Sequence, residues 1–215
     1  MQTARVEPDV AHALQLAVDL IGTFVFALSG ALLAVRKDLD AFGVAALSLA
    51  AGMGGGMLRD VLIGAVPPVA LVDARYVIGA LAAAAVGFVS HHQLERLGPA
   101  VRLFDAAGLA FFAVAGAAKA SAAELPAFAA VGMGVVTAVG GGILRDVLAD
   151  ELPLVLRREI YAVAALLGAG VVAGAYALGQ YGPVAAAVGI ALTFLVRLVA
   201  LRRNWNAPTA PQPPD

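Results

Sequence analysis

The sequence predicts an all-α polytopic membrane protein with seven transmembrane helices, built as two inverted three-helix repeats plus a seventh helix. Three observations lead there. The chain is 61% hydrophobic and only 13% charged, with a mean hydropathy of +0.90, whereas a soluble domain carries about 25% charged residues. Seven apolar segments approach the ~20 residues that a spanning helix needs. One glycine-rich, charged block occurs twice, as GGGMLRDVL at 54–62 and GGGILRDVL at 140–148.

The segments fall at about 11–35, 41–65, 75–91, 101–121, 126–149, 158–179 and 183–201. Glu7 and Asp9 precede the first, and no clear cleavage site follows it, so the sequence predicts a retained membrane helix rather than a signal peptide. Short connections collect the turn and charged residues: Arg36-Lys37-Asp38, Pro67-Pro68, His91 to Pro99, Glu124 to Pro126, Asp150 to Pro153 and Gly182-Pro183. Residues 1–203 thus read as a single transmembrane domain, with repeat one at about 11–91, repeat two at about 101–179 and the seventh helix at about 183–201. The tail, 204–215, holds four prolines and reads as disordered. Trp205 beside Arg202-Arg203 reads as an interfacial anchor.

An offset of 86 positions aligns 19–67 with 105–153 without a gap. Asp19 meets Asp105, Gly22 meets Gly108, Phe26 meets Phe112 and Pro67 meets Pro153, while a one-residue adjustment pairs Tyr76 with Tyr161. Three crossings per repeat bring the second copy in from the opposite face, related to the first by a pseudo-two-fold axis in the membrane plane. Arg36, Lys37, Arg96, Arg157, Arg158, Arg202 and Arg203 gather on one side, with Arg102 at its edge. By the positive-inside rule that side is cytoplasmic, which puts the N-terminus outside and the C-terminus inside.

The doubled block carries the candidate site. Three consecutive glycines weaken a helix, each by about 1 kcal/mol relative to alanine. Two readings stand for Gly54, Gly55 and Gly56, and for Gly140, Gly141 and Gly142. They pack helices closely, or they kink them and turn carbonyls toward a water-filled path. Arg59, Asp60, Arg145 and Asp146 are charges in apolar segments and mark a helix lock or the wall or gate of a path. Neighbouring side chains point about 100° apart on a helix. Arg59 and Asp60 are therefore expected to find partners on other helices, with Asp19 and Asp105 as the acids of a cross-repeat pairing. Lys119, whose counterpart is Leu33, is expected to snorkel to the interface; a mobile charge is the other reading. Arg197 reads as interfacial, and Gly170 to Gly174 as a spacing for packing within the chain.

Several function classes fall away. The chain has no cysteine, and its three histidines, His12, His91 and His92, lack a further ligand nearby, so no metal site or cofactor is expected. A net charge of -1 gives no basic field for nucleic acid. GGGxxRD is not a nucleotide-binding loop, and no hydrolytic set is apparent, so the chain does not read as an enzyme. On the residues alone, a channel, a secondary carrier of a small zwitterion such as glycine and a structural membrane protein all remain open.

The doubled GGGxxRD in two three-helix repeats, plus a seventh helix, resembles the prokaryotic trimeric intracellular cation (TRIC) channels, a domain also labelled glycine-transporter-like. The resemblance spans about residues 11–203. It implies a homotrimer in a bacterial or archaeal cell membrane, with one pore per subunit passing monovalent cations, chiefly potassium and also sodium. It implies pore-lining helices two and five kinked at Gly54–Gly56 and Gly140–Gly142. It also makes Lys119 a positional candidate for voltage sensing. Membrane lipid is the remaining partner, without the long basic tail that would imply phosphoinositide dependence.

Overall fold

The computed structural model describes residues 8–90, 98–157, 160–203 and 205. Their regular structure is entirely helical. We label the helices α1 (Pro8–Arg36), α2 (Ala41–Leu62), α3 (Val69–Val72), α4 (Ala74–Val89), α5 (Gly98–Ala122), α6 (Ala127–Leu148), α7 (Leu154–Arg157), α8 (Ile160–Ala177) and α9 (Pro183–Arg203). Six are long and apolar enough to cross a membrane, and the sixteen-residue α4 is a shorter apolar helix. The molecule is an all-helical multi-pass membrane protein. The turns α3 and α7 are two elements that the apolar pattern does not mark. The tail beyond Trp205, together with His91 and His92, lies outside the described residues.

Local chemistry sets the helix ends. Asp40 caps α2, its Oδ1 accepting from the Gly43 N–H at 2.8 Å. Asp73 caps α4 by accepting from the Arg75 N–H at 3.0 Å. These side chains satisfy donors that the first helical turn leaves unpaired. After α2 the chain turns through Gly64 at φ +76°, and at the equivalent place after α6 it turns through Asp150 at φ +54°. Asp38 and Glu124, another pair related by the repeat, take φ values of 56° and 60° after α1 and α5. Glycine and, less readily, aspartate tolerate this left-handed region; Glu124 takes it without that advantage.

The two repeats meet along two contacts. In the first, α1 packs on α5. Phe26 and Phe112 are fully buried and stack with ring centroids 5.5 Å apart. Each ring lies over the other repeat's glycine: a Cβ on Gly22 would stand 2.8 Å from Phe112, and one on Gly108 would stand 2.5 Å from Phe26. In the second, α2 crosses α6 at the doubled glycine block. A Cβ on Gly55 would run into the Thr137 carbonyl oxygen, and one on Gly141 into that of Ala51. Leu58 lies against Gly140 and Leu144 against Gly54, so the two helices pass each other antiparallel. Both helices run through their glycines without a break. The crossing packs the two helices closely at these glycines.

Within repeat two α8 packs on α5 and α6, and α9 packs on α8 and α5. The glycine between α8 and α9 is Gly168, where a Cβ would stand 2.7 Å from the Gly189 carbonyl oxygen. Gly170 and Gly174 have open space at their Cβ positions. This corrects the expectation that their spacing serves packing within the chain. The outer faces of α2 and α6 stay apolar and exposed, with Phe42 and Phe128 both 81% exposed. Such a surface suits lipid or a neighbouring subunit, not water.

Candidate functional site

Helices α1, α2 and α4 converge on one buried charge cluster. Arg59 and Asp60 sit in the last turn of α2, and Asp19 sits on α1. Arg59 donates from Nη1 to Asp19 Oδ1 at 3.0 Å and from Nη2 to Asp19 Oδ2 at 3.1 Å. Its Nε donates to Asp60 Oδ1 at 2.8 Å. The Tyr76 hydroxyl of α4 donates to Asp19 Oδ2 at 3.0 Å. Asp60 Oδ2 accepts from the Val69 N–H of α3 at 3.0 Å. The short turn α3 thereby delivers a backbone donor to a carboxylate that would otherwise be under-satisfied.

Helices α5, α6 and α8 build the counterpart. Arg145 donates from Nη1 to Asp105 Oδ1 at 2.8 Å and from Nε to Asp146 Oδ1 at 2.8 Å. The Tyr161 hydroxyl donates to Asp105 Oδ1 at 3.2 Å, and the Leu154 N–H of α7 donates to Asp146 Oδ2 at 3.0 Å. All six charged residues of the two sets are buried. An arginine in a low-dielectric interior requires such pairing, since removing either partner strands a charge. The arginines lie four residues beyond Gly55 and Gly141 on antiparallel helices, or about 6 Å to either side of the crossing along the helix axes. The clusters therefore flank the glycine crossing on opposite halves of the protein.

Three residues break the symmetry. Lys119, on α5 of repeat two, donates to Asp60 Oδ1 of repeat one at 2.7 Å, with its side chain 21% exposed. Leu33 holds the equivalent place in repeat one. Ser29 Oγ of repeat one accepts from Arg145 Nη1 at 2.8 Å, and the equivalent position in repeat two is Ala115. Arg197, from α9 outside the repeats, is buried with its guanidinium 4.6 Å from the centre of the Tyr161 ring.

Four expectations are corrected by this geometry. Arg59 bonds Asp60, and Arg145 bonds Asp146, although their Cβ directions diverge, because the long arginine stem curls its Nε back to the adjacent carboxylate. The remaining acids pair within each repeat and not across it: Arg59 takes Asp19, and Arg145 takes Asp105. Lys119 does not snorkel, since a carboxylate within reach holds its amine better than a distant interface. Arg197 is not interfacial but buried beneath an aromatic ring. Sequence reasoning misses the roles of Tyr76, Tyr161 and Ser29, although the tyrosines' matched positions in the repeat are a usable signal. Among the described residues no group of three or more His, Asp or Glu side chains gathers as a metal site, and His12 is exposed.

With this geometry in view, comparison with known proteins is informative. A family model described as Glycine transporter matches residues 16–92 and 102–177, one match per repeat. Curated relatives include a UPF0126 membrane protein of Deinococcus radiodurans, 43% identical over 87% of each chain. The UPF0126 inner membrane protein YadS of Escherichia coli is 41% identical over 89% of this chain and 94% of its own. Among solved structures, a TRIC trimeric intracellular cation channel orthologue from Rhodobacter sphaeroides superposes with a TM-score of 0.85 at 38% identity, covering 89% of this chain and 99% of that one. A prokaryotic TRIC channel crystallised in KCl gives 0.84 at 31% identity, over 91% and 100%. The fold is therefore TRIC-like, and the chain is a multi-pass cell-membrane protein homologous to channels, not to enzymes.

Proposed function

The chain belongs to the glycine transporter (UPF0126) family, and from that premise we propose that it is a passive monovalent cation channel, permeable to potassium and sodium. It works as a homotrimer with one path per subunit. The path runs alongside α2 and α6, past Gly54–Gly56 and Gly140–Gly142, with the two charge clusters as its walls or gates. The observation that carries this reading is the placement of the clusters on opposite sides of an antiparallel crossing. A solute moving from face to face meets one cluster, then the crossing, then the other.

The charges of the clusters are compatible with a cation. In repeat two, Asp105 and Asp146 face the guanidinium of Arg145, and the buried guanidinium of Arg197 lies 4.6 Å from the Tyr161 ring beside them. In repeat one, Lys119 and Arg59 balance Asp19 and Asp60. Neither Arg59 nor Arg145 presents a bare positive charge to a passing ion, which removes the main electrostatic objection to a cation path.

Seven crossings with the N-terminus outside fit the contacts between helix ends. Lys37, after α1, pairs with Glu151, after α6, at 3.2 Å. Lys119, near the end of α5, meets Asp60, near the end of α2. Arg102, at the start of α5, lies beside Arg202, at the end of α9. The first two pairs each share one face only if the short α4 also crosses, at about 24 Å of helix, so that the second repeat enters inverted; the third shares a face whether or not α4 crosses. In this reading residues 1–203 form one transmembrane domain.

Planar-bilayer recording of the purified protein in a potassium gradient tests the proposal. Unitary currents reversing toward the potassium equilibrium potential are expected, and their absence at every voltage would sink the channel reading. The family's description favours one rival, a carrier of glycine, whose carboxylate and amine an Arg and an Asp would hold. Counterflow of labelled glycine in proteoliposomes separates the two, because a potassium channel gives none.

A further inference from the structure

We propose that Arg197 is a positioning residue for the second charge cluster: it holds the Tyr161 ring, and through the ring's hydroxyl it fixes the carboxylate of Asp105. The seventh spanning helix, α9, thereby becomes part of the site. The positioning stands apart from the channel reading, while its effect on ion flow rests on that reading.

The sequence of α9 puts this arginine on its packed face. The buried residues there are Ala186, Gly189, Thr193, Arg197 and Ala200, and spacings of three or four keep them on one side of a helix. Apart from Arg197 they are small, which lets α9 approach α8 closely. The helices meet at glycine: a Cβ on Gly189 would stand 3.1 Å from the Gly168 carbonyl oxygen. A short connection, 178–182, joins α8 to α9, so the two run antiparallel. Tyr161 precedes Gly168 by seven residues, and Arg197 follows Gly189 by eight. These are about 11 and 12 Å along the two helix axes. The glycine contact therefore sets the register that lays the guanidinium over the ring, 4.6 Å from its centre.

The two clusters need such support unequally. Asp19 is oriented through both oxygens: Oδ1 and Oδ2 take the two arms of Arg59, and Oδ2 also takes the Tyr76 hydroxyl. Asp105 is oriented through Oδ1 alone, which accepts from Arg145 Nη1 and from the Tyr161 hydroxyl. Its Oδ2 is buried and meets no hydrogen-bond donor among the described residues. A carboxylate held at one oxygen swings about that oxygen unless both of its donors are fixed. Arg145 is fixed by Asp146 and Ser29. Tyr161 is fixed by the guanidinium over its face. An apolar side chain would fill the same space at less cost, since a buried arginine is expensive in a membrane interior. A cation, unlike an aliphatic chain, is drawn to the face of the ring, where the π system is negative. Arginine at this position thus fits orientation of the ring better than mere filling of space.

The test uses the full-length protein in detergent, labelled with carbon-13 at tyrosine Cζ, whose NMR signal responds to hydrogen bonding by the hydroxyl. The chain has four tyrosines, and Tyr161→Phe identifies the signal of interest. D105N is expected to shift the Tyr161 signal in the wild-type background. It should leave that signal unmoved in an R197M background, where the hydroxyl has already left Asp105, and shift it again in R197K. The signals of Tyr76 and Tyr176 should stay in place throughout. An equal D105N shift with and without R197M overturns the proposal. So does an R197M that displaces the Tyr176 signal as much as that of Tyr161, since this marks general packing between α8 and α9. G189A lifts α9 off α8 while keeping every residue of the cluster. It should reproduce R197M, and it gives the same comparison if R197M does not assemble. Unitary potassium current is read alongside, and it should fall in R197M and recover in R197K. Wild-type current in R197M would overturn the part given to Arg197 in ion flow. Absence of current in the unmodified protein would instead sink the channel reading, and the NMR comparison would still decide the positioning.

Discussion

Repeat one holds Arg59 through a two-bond fork to Asp19, whereas repeat two holds Arg145 through one bond to Asp105 and one to Ser29. The same residue types thus support two differently built clusters. In the first, all the charge is matched, and the matching reaches across the repeats through Lys119. In the second, Asp105 and Asp146 share Arg145, a serine from the other repeat replaces half of the fork, and the buried Arg197 of α9 presses on the tyrosine. Duplication therefore conserves the scaffold of each cluster, while the substitution at 33/119 sets its charge and the one at 29/115 its hydrogen bonding. An exactly two-fold protein would treat the two membrane faces alike, and this one does not.

Breaking the forks should have the largest effect. Removing one partner of a buried ion pair costs about 3–5 kcal/mol. Asp19→Asn should fall at the upper end, since Arg59 loses both fork bonds. Asp105→Asn should cost less, because Ser29 and Asp146 still hold Arg145. Thermal unfolding in detergent compares them, and an Asp105→Asn loss equal to or above that of Asp19→Asn would contradict the difference described here.

The crossing sets the next scale and should be indifferent to the repeat. Gly55→Ala and Gly141→Ala each force a methyl onto the opposite helix's carbonyl, at about 1–3 kcal/mol for overpacking. The two losses should agree within experimental error. A marked inequality would place the crossing off the pseudo-symmetry axis.

Lys119 tests the charge asymmetry itself. Lys119→Leu leaves Asp60 with Arg59 and the Val69 N–H, the same complement that Asp146 has in repeat two. Stability should fall by less than in the fork variants, because Asp60 keeps Arg59 and the Val69 N–H. The ratio of currents at equal positive and negative voltages should move toward one, and adding Leu33→Lys should push it past one in the opposite sense. An unchanged ratio in both variants would show that this lysine does not shape conduction.

The tyrosines give the smallest effect. Tyr76→Phe and Tyr161→Phe each remove a single hydrogen bond to an aspartate, at about 0.5–1.5 kcal/mol. Their losses should be nearly equal, because the phenyl ring of Tyr161→Phe stays under Arg197. Thermal unfolding of the two variants side by side checks this, and a loss confined to one of them would mean that only one hydroxyl holds its aspartate.

Much of this is legible in the sequence because membrane solvation leaves a coarse record. Apolar length marks every long helix to within a few residues, and the repeat locates both arginines and all four of their aspartates. The pairing is not legible, for two physical reasons. Helical spacing describes where Cβ points, and arginine's further torsions carry Nε past that direction to Asp60 or Asp146. Depth along a helix is also misleading for Arg197: its position near the end of α9 suggests an interface, but α9 leans that face on Tyr161. Lys119 is hidden for a similar reason, since the nearness of Asp60 depends on how α5 meets α2 across the repeats, which no local pattern encodes. His91, His92 and the residues beyond Trp205 lie outside the described structure.

The separation of 40 residues between each arginine and its fork aspartate bears on how the protein is made. Residues 19 and 59, like 105 and 145, lie on the two arms of one helical hairpin. Each hairpin can thus enter the bilayer with its strongest charges already joined, sparing the insertion machinery most of the cost of a lone arginine. The contacts that join the halves, Lys119 to Asp60 and Arg145 to Ser29, need residues from beyond the first repeat. Synthesis then falls naturally into two insertion events followed by one docking event. A ribosome stalled after the first repeat would leave a hairpin that is electrically closed but still short of the partner for Asp60.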